Sequence, residues 1–450
     1  MIISDFCNRL RFKVDVINSL SIAIYERRMN LLIRMFTPLG LSLVLVACQQ
    51  THVRHEPLPQ RGYLWQRSWN PAVEKAVTEA DSRMDGLIVL GAEIQWKGGE
   101  LQVIRANIRW DTLKSMKKSC SLALRVAPYP GPFEEDDRVC QAIIATAKGL
   151  LEDARLHGVE VREFQLDFDC AQKKLSGYRK WIHAVRTQIS PTRFVITTLP
   201  SWLKETEFRN LIYDVDGYVL QVHSVPTQKE SGRASLCDVS LARKWVSQAE
   251  SLGVPFSVAL PTYRCLAGYD ETGKLRGVMM DSIPLAWPTG THVLEFGSNP
   301  DDIAALVDEW HKTAPATLQE IIWYRLPVET DRLNWQWKTL SAVMEGRKSQ
   351  HKLEVSQRGT NPIDLAISNL GETDDSLPQG VRISWDKGVL IASDALEGWS
   401  IQQDAQSVTF TPLAGFHPHL PPDSDMNIGW LRFNMPITLR TEILNENTTH

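Results

Sequence analysis

What most constrains this chain is a repeat. From residue 62 to residue 346, eight short β-rich runs alternate with amphipathic segments: Tyr63–Arg67, Leu87–Glu93, Leu122–Val126, Glu163–Asp169, Phe194–Leu199, Tyr218–His223, Phe256–Pro261 and Glu320–Leu326. Apolar residues at helical spacing fill Ala142–His157, Tyr178–Gln188, Ser240–Leu252, Pro300–Lys312 and Asn334–Gly346. Eight β/α units are the count of a closed (β/α)8 TIM-type barrel. A doubly wound open sheet competes, but Gln66-Arg67-Ser68-Trp69-Asn70-Pro71 follows the first run where a Gly-rich phosphate loop would stand. Residues 97–110 read as a hairpin after strand 2. Residues 264–298 form a long excursion after strand 7, expected to fold over the barrel mouth.

From residue 347 to residue 450 the pattern becomes short alternating runs, among them Ile363–Ser368, Val381–Trp385, Val389–Ala392, Val408–Phe410, Gly429–Phe433 and Thr438–Ile443, interrupted by Pro-rich turns. This reads as a small all-β sandwich that either binds glycan or packs on the barrel, packing being the simpler role.

The N-terminal segment is read as an address. Residues 29–48 run from a basic start through an apolar stretch into Leu45-Val46-Ala47-Cys48, which resembles a bacterial lipoprotein signal with Cys48 as the lipidated residue. The apolar run is shorter than the ~20 residues of a membrane span. Residues 1–28 precede Met29 and are read as an over-extended start, and residues 49–61 as a tether. Gln49 after the acylated Cys favours, by resemblance to known lipoproteins, the outer over the inner membrane. The expectation is a monomer held to the bacterial envelope through Cys48.

Residues 1–47 hold six Lys/Arg and three Asp/Glu, so the net charge of −4 for the whole chain becomes about −7 for the rest. No basic run is present, which argues against nucleic acid as partner. Export permits disulfides. Of the cysteines at 120, 140, 170, 237 and 265, Cys170 and Cys237 are the preferred pair, because both follow strands expected to end on one face; free buried thiols are the alternative.

In such a barrel the C-terminal strand ends converge on a common cleft. Strand 4 has period two: Phe164, Leu166 and Phe168 face the helices, while Glu163, Gln165, Asp167 and Asp169 face inward. The same test adds Trp65 and Arg67 from strand 1, Glu93 from strand 2, Arg125 from strand 3, Gln221 and His223 from strand 6, Pro261 and Tyr263 from strand 7, and Trp323 and Arg325 from strand 8. Trp202 follows strand 5. Carboxylates with flat aromatic faces suit sugar chemistry. The alternative is an ion network in which Arg67 and Arg125 lock Glu93, Asp167 and Asp169 without performing a reaction. Neither a His-x-x-x-His, a Cys-x-x-Cys nor a Gly-x-Ser-x-Gly motif occurs, and neither metal nor cofactor is expected.

Four segments, Gln165–Cys170, Thr198–Leu203, Leu220–Ser224 and Ala259–Tyr263, resemble the bacterial domain-of-unknown-function family 3142 over about residues 60–345. That resemblance implies a glycoside-hydrolase-like barrel and transfers no activity. Strand 4 also resembles the family-eighteen chitinase strand, Asp-x-Asp-x-Glu, whose general acid lies two residues beyond the second Asp. Counted that way the position is Ala171, leaving Glu93 or Asp169 as the acid. Two readings follow. In one, a lipid-anchored glycoside hydrolase acts on a cell-envelope or extracellular polysaccharide with Asp169 as acid/base, Asp167 as electrostatic partner or nucleophile and Glu93 as the alternative carboxylate. Tyr263 and His223 would orient the sugar and Trp65, Trp202 and Trp323 stack on it. In the other, a glycan-binding or scaffold lipoprotein keeps the cleft without catalysis.

Overall fold

The computed structural model describes residues 56–225, 235–280, 286–416 and 418–445. Cys48 and the signal-like segment lie outside the described residues. Residues 54–450 group as one compact unit.

The first half is a closed parallel barrel. In chain order its elements are β1 (Gln60–Leu64), α1 (Pro71–Arg83), β2 (Gly86–Lys97), β3 (Glu100–Arg105), α2 (Trp110–Lys114), β4 (Ser119–Val126), α3 (Arg138–Leu156), β5 (Val161–Phe168), α4 (Leu175–Ile189), β6 (Phe194–Thr198), α5 (Thr206–Ile212), β7 (Gly217–Gln221), α6 (Val239–Glu250), β8 (Phe256–Pro261), β9 (Cys265–Tyr269), β10 (Leu275–Met279), β11 (His292–Phe296), α7 (Pro300–Thr313), β12 (Leu318–Tyr324) and α8 (Trp337–Met344). Pairing runs β1, β2, β4, β5, β6, β7, β8, β12, and β12 returns to β1 in parallel, so no barrel edge is left open. Local chemistry starts the helices. Asn70, Asp137, Asp238 and Asn299 cap α1, α3, α6 and α7 through their side chains, and Pro71 and Pro300 occupy first-turn positions where the missing N–H costs nothing.

The departures from the repeat are additions at the mouth. β2 overruns the barrel and turns through Gly98 and Gly99, both at positive φ, into antiparallel β3. Strands β10, β9 and β11 form a three-stranded sheet in that order.

Alternation divides the barrel side chains into two layers. Phe164, Leu166 and Phe168 pack outward against the helices, whereas Tyr63, Ile88, Ala123, Val195, Val219, Ala259 and Ile322 fill the interior. At the end where the strands begin, Arg61, 1% exposed, is bonded to Glu163 (2.7 Å), to Glu320 and to Ser121 Oγ (3.0 Å). Arg193 adds a second contact to Glu163 at 3.2 Å. Burial alone would raise the Glu163 pKa, but the charge and hydrogen bond of Arg61, then Gln165 and Arg193, hold it below the ordinary value. The buried ion network of this barrel is therefore at the closed end and centres on Arg61, which the sequence pattern left out of strand 1.

The second half is a β-sandwich. Its strands are β13 (Leu353–Arg358), β14 (Ile363–Asn369), β15 (Asp375–Ser376), β16 (Gly380–Ser384), β17 (Leu390–Ala395), β18 (Trp399–Gln403), β19 (Ser407–Pro412), β20 (His419–Leu420), β21 (Asp425–Phe433) and β22 (Arg440–Leu444). Two four-stranded antiparallel sheets, β13-β14-β21-β17 and β18-β19-β16-β22, enclose a core of Ile363, Leu365, Ile367, Ile383, Phe410, Leu431 and Phe433. It is fastened to the barrel by Arg347, which grips Glu372 with both terminal nitrogens (2.6 and 2.8 Å), and by Arg264 with Asp374 at 2.6 Å.

Cys170 and Cys237 are free and buried, which corrects the expected disulfide. Cys170 closes β5 and Cys237 leads into α6 after β7, with β6 and its Pro200–Trp202 turn between them. Two strand spacings of about 4.8 Å exceed the roughly 4.4–6.8 Å Cα separation that a disulfide bridges.

Candidate active site

At the C-terminal strand ends the interior opens into a cleft of about 330 Å³. Tyr63 and Trp65 line it from β1 and its loop, Arg125 from β4, Asp167 from β5 and Asp169 just after it, Thr197 from β6, Gln221 from β7 and His223 just after it, Tyr263 after β8 and Tyr324 from β12. The inward series of β5 explains the depth at which each group sits. Glu163 belongs to the buried ion network, and Gln165 donates to Glu163 (2.8 Å) and accepts from Tyr63 Oη (2.6 Å). Asp167 lies at the cleft floor and Asp169 at its rim.

The two acids differ in their surroundings. Asp167 is buried and accepts from Thr197 Oγ1 (2.7 Å), Gln221 Nε2 (3.3 Å) and Arg125 Nη1 (3.3 Å). Among the described residues nothing donates to the Asp169 carboxyl, which is open to solvent on its outer side. Desolvation by the cleft wall first, and the negative charge of Asp167 second, raise its pKa to about 6 against the pull of Arg125. One acid is thus held by donors and the other keeps its proton to higher pH than an ordinary aspartate, the separation that acid catalysis by paired carboxyls requires.

Aromatic rings form the rest of the wall. Trp65 meets Tyr63 and Tyr324 edge-on at 5.2 and 5.4 Å between centroids, and His223 stacks on Tyr324 at 5.6 Å. His223 Nδ1 lies 3.3 Å from Tyr263 Oη. Burial lowers the His223 pKa to about 4, so the ring is neutral down to mildly acidic pH and protonates only as pH falls through that value. Its side-chain ¹⁵N shifts are expected to stay flat from pH 5 to 8; a titration centred near 6.5 would contradict this environment.

Several sequence expectations change here. Glu93 is paired with Arg67 at the side of the mouth and does not line the cleft, and the Arg67 side chain is 54% exposed. Trp323 is fully buried on the outer face of β12, its Nε1 donating to Gln60 (2.8 Å). Its neighbour Tyr324 faces the cleft, because Glu320 and Ile322 set the inward parity. Arg325 is buried behind the wall and donates to Asp331 and to the Met280 carbonyl. Trp202 is also fully buried, since the turn at Pro200–Trp202 carries its ring back against Tyr178 and Phe208, with Nε1 bonded to the Cys170 carbonyl (3.1 Å). Ala171 lies beyond the end of β5, at the start of a short turn, and does not line the cleft. The inward i, i+2, i+4 series Gln165, Asp167, Asp169 runs one residue past the end of β5, and its outermost member, which lines the cleft, carries a carboxyl. Tyr63, Thr197 and Tyr324 were missed. Tyr63 shares the parity of Trp65, which is the signal that would have found it.

Fold and site together define a (β/α)8 barrel with an acidic, aromatic-walled cleft at the C-terminal strand ends. Residues 135–329 match the family model described as "Domain of unknown function (DUF3142)", and all four motifs quoted above fall inside that stretch. No curated protein matches the chain. Among solved structures it is similar to the spore cortex-lytic enzyme SleL of Bacillus cereus, with 11% identity over 66% of this chain and 76% of that one and a TM-score of 0.47. The chitinase ChiA74 of Bacillus thuringiensis gives 9% identity, 86% and 100% coverage and a TM-score of 0.44. A chitinase of Chromobacterium violaceum gives 13%, 64% and 98%, and 0.43.

Proposed function

We propose that the protein is a glycoside hydrolase of the cell envelope or its surroundings, with Asp169 as general acid. The observation that carries this reading is the environment of Asp169: a carboxyl without a hydrogen-bond partner among the described residues, pKa raised to about 6, at the rim of an aromatic cleft and two residues from a carboxyl that is fully engaged. Asp169 passes its proton to the glycosidic oxygen and the bond from that oxygen to the anomeric carbon breaks. Asp167, at the cleft floor, stabilises the positive charge that develops on the ring, and water then supplies a hydroxyl to the anomeric carbon and its proton to Asp169. Glu93 has no part in this, being occupied by Arg67. The Cys48 motif supports lipid anchoring at the outer membrane, which would set the enzyme against an envelope polysaccharide.

The test is release of reducing ends from envelope polysaccharides by the purified protein. Turnover is expected for the native chain and not for Asp169→Asn, whose affinity for the same oligosaccharide, read by calorimetry, should persist. Binding without turnover in the native chain would leave a glycan-binding protein instead. Two tryptophans separate cleft from core. Trp65→Ala is expected to weaken binding by about 1 kcal/mol of lost ring contact. Trp202→Ala is expected to cost about 3–5 kcal/mol in thermal unfolding, with binding unchanged in the fraction that folds.

A further inference from the structure

Glu93, Arg125 and Asp167 stand side by side on β2, β4 and β5, in register across the barrel mouth. Arg67 pairs with Glu93, and among the described residues the one ion pair of Arg125 is with Asp167, although Asp169 and Glu93 also act on its charge from further away. Arg125 reaches Asp167 through Nη1 alone, at 3.3 Å, and among the described residues its Nε and Nη2 donate to nothing. Its side chain is 37% open and lines the cleft. A guanidinium that holds a carboxylate frequently presents two parallel donors to it, as Arg347 does to Glu372 elsewhere in this chain. Here that geometry is not used, and Asp167 is already fixed through its other oxygen by Thr197 and Gln221. The remaining polar lining groups, Thr197, Gln221, Ser224, neutral His223 and the tyrosines, suit sugar hydroxyls. Arg125 is the one cation among the described residues that line the cleft.

Resting on the reading of this cleft as a glycan site, we propose that the bound sugar is acidic and that the free donors of Arg125 recognise its carboxylate. The ligand class is a hexose unit bearing a carboxylate on the ring, as in a uronic acid, or on a short ether substituent. An Arg fork is selective for such a group, because it offers planar paired donors and full positive charge together.

The probes are oligosaccharides of these two kinds, each compared with its own methyl ester, which differs only in masking the charge. Binding is measured by calorimetry to the full chain carrying Asp169→Asn, so that nothing turns over. The acid form is expected to bind at least tenfold tighter than its ester, and Arg125→Gln to abolish that difference while leaving ester affinity in place. Equal affinity for acid and ester, or an equal loss for both in Arg125→Gln, would overturn the proposal and leave Arg125 a partner of Asp167. Binding of neutral oligosaccharides alone would overturn it and spare the glycan reading, whereas absence of binding by any glycan would overturn both. The acid-against-ester comparison decides the matter without a substitution at Arg125, so it stands even where Arg125→Gln does not fold.

Discussion

Hydrolysis is expected to fall tenfold per pH unit above about 6 in kcat/KM, and Asp169→Asn to remove that limb while lowering the rate by about 10²–10⁴. The sign follows from the role. A general acid acts in its protonated form, and Asp169 loses its proton as pH rises through a value near 6. The raised value has two named causes, so Asp167→Asn makes a second expectation: with the like charge gone and Arg125 still beside it, the Asp169 pKa drops and the descending limb moves to lower pH. A limb that stays at the same pH in Asp167→Asn would mean that another group controls the rate. Steady-state rates at fixed ionic strength across pH 4–8 check both statements.

The largest stability effect is expected from the closed end of the barrel. Arg61→Met leaves Glu163 and Glu320 without the cation that each faces, inside a barrel where neither reaches bulk water. Breaking a buried pair by removing one partner costs about 3–5 kcal/mol, because the remaining charge stays desolvated. Arg193 at 3.2 Å from Glu163 and Arg162 at 3.7 Å from Glu320 offset part of that cost. The same network fixes a pH dependence. Glu163 has a folded pKa below its ordinary 4.5, so its contribution is present above that value and is lost as pH falls through the lowered one. Thermal unfolding of the native chain should therefore show Tm declining below about pH 4.5, and Arg61→Met should unfold at markedly lower temperature already at pH 7. A Tm unchanged by Arg61→Met would contradict the assignment of this network as a structural element.

How far the sequence reveals this molecule depends on which physical signal each part carries. Period-two alternation in β5 is unambiguous, because Phe164, Leu166 and Phe168 are bulky and apolar while Gln165, Asp167 and Asp169 are polar, and the two sets separate onto opposite faces. In β12 the run Ile321-Ile322-Trp323-Tyr324 is apolar on both faces, as strands covered on both sides are, so parity could not be read from hydrophobicity and Trp323 was placed inward. Glu320, buried beside Arg61 and Ser257, held the information, since a lone acid in such a run must face the polar interior. Trp202 was misplaced for a different reason: a turn after the strand reverses direction, and sequence spacing says nothing of where its ring goes. The Cys170–Cys237 expectation failed because strand order, not shared face, sets the distance between two loops. The sandwich was legible from its turns, whereas its short strands Asp375–Ser376 and His419–Leu420 carry no periodicity to detect.

The central claim is that Asp169 titrates near pH 6 and gives its proton to a glycosidic oxygen. The most direct test is a ¹³C NMR titration of the Asp169 side-chain carboxyl in the native chain, assigned by its disappearance in Asp169→Asn. The account predicts a midpoint near pH 6, moving down in Asp167→Asn. A midpoint at the ordinary aspartate value of about 3.9 in the native chain, unmoved by Asp167→Asn, would contradict it.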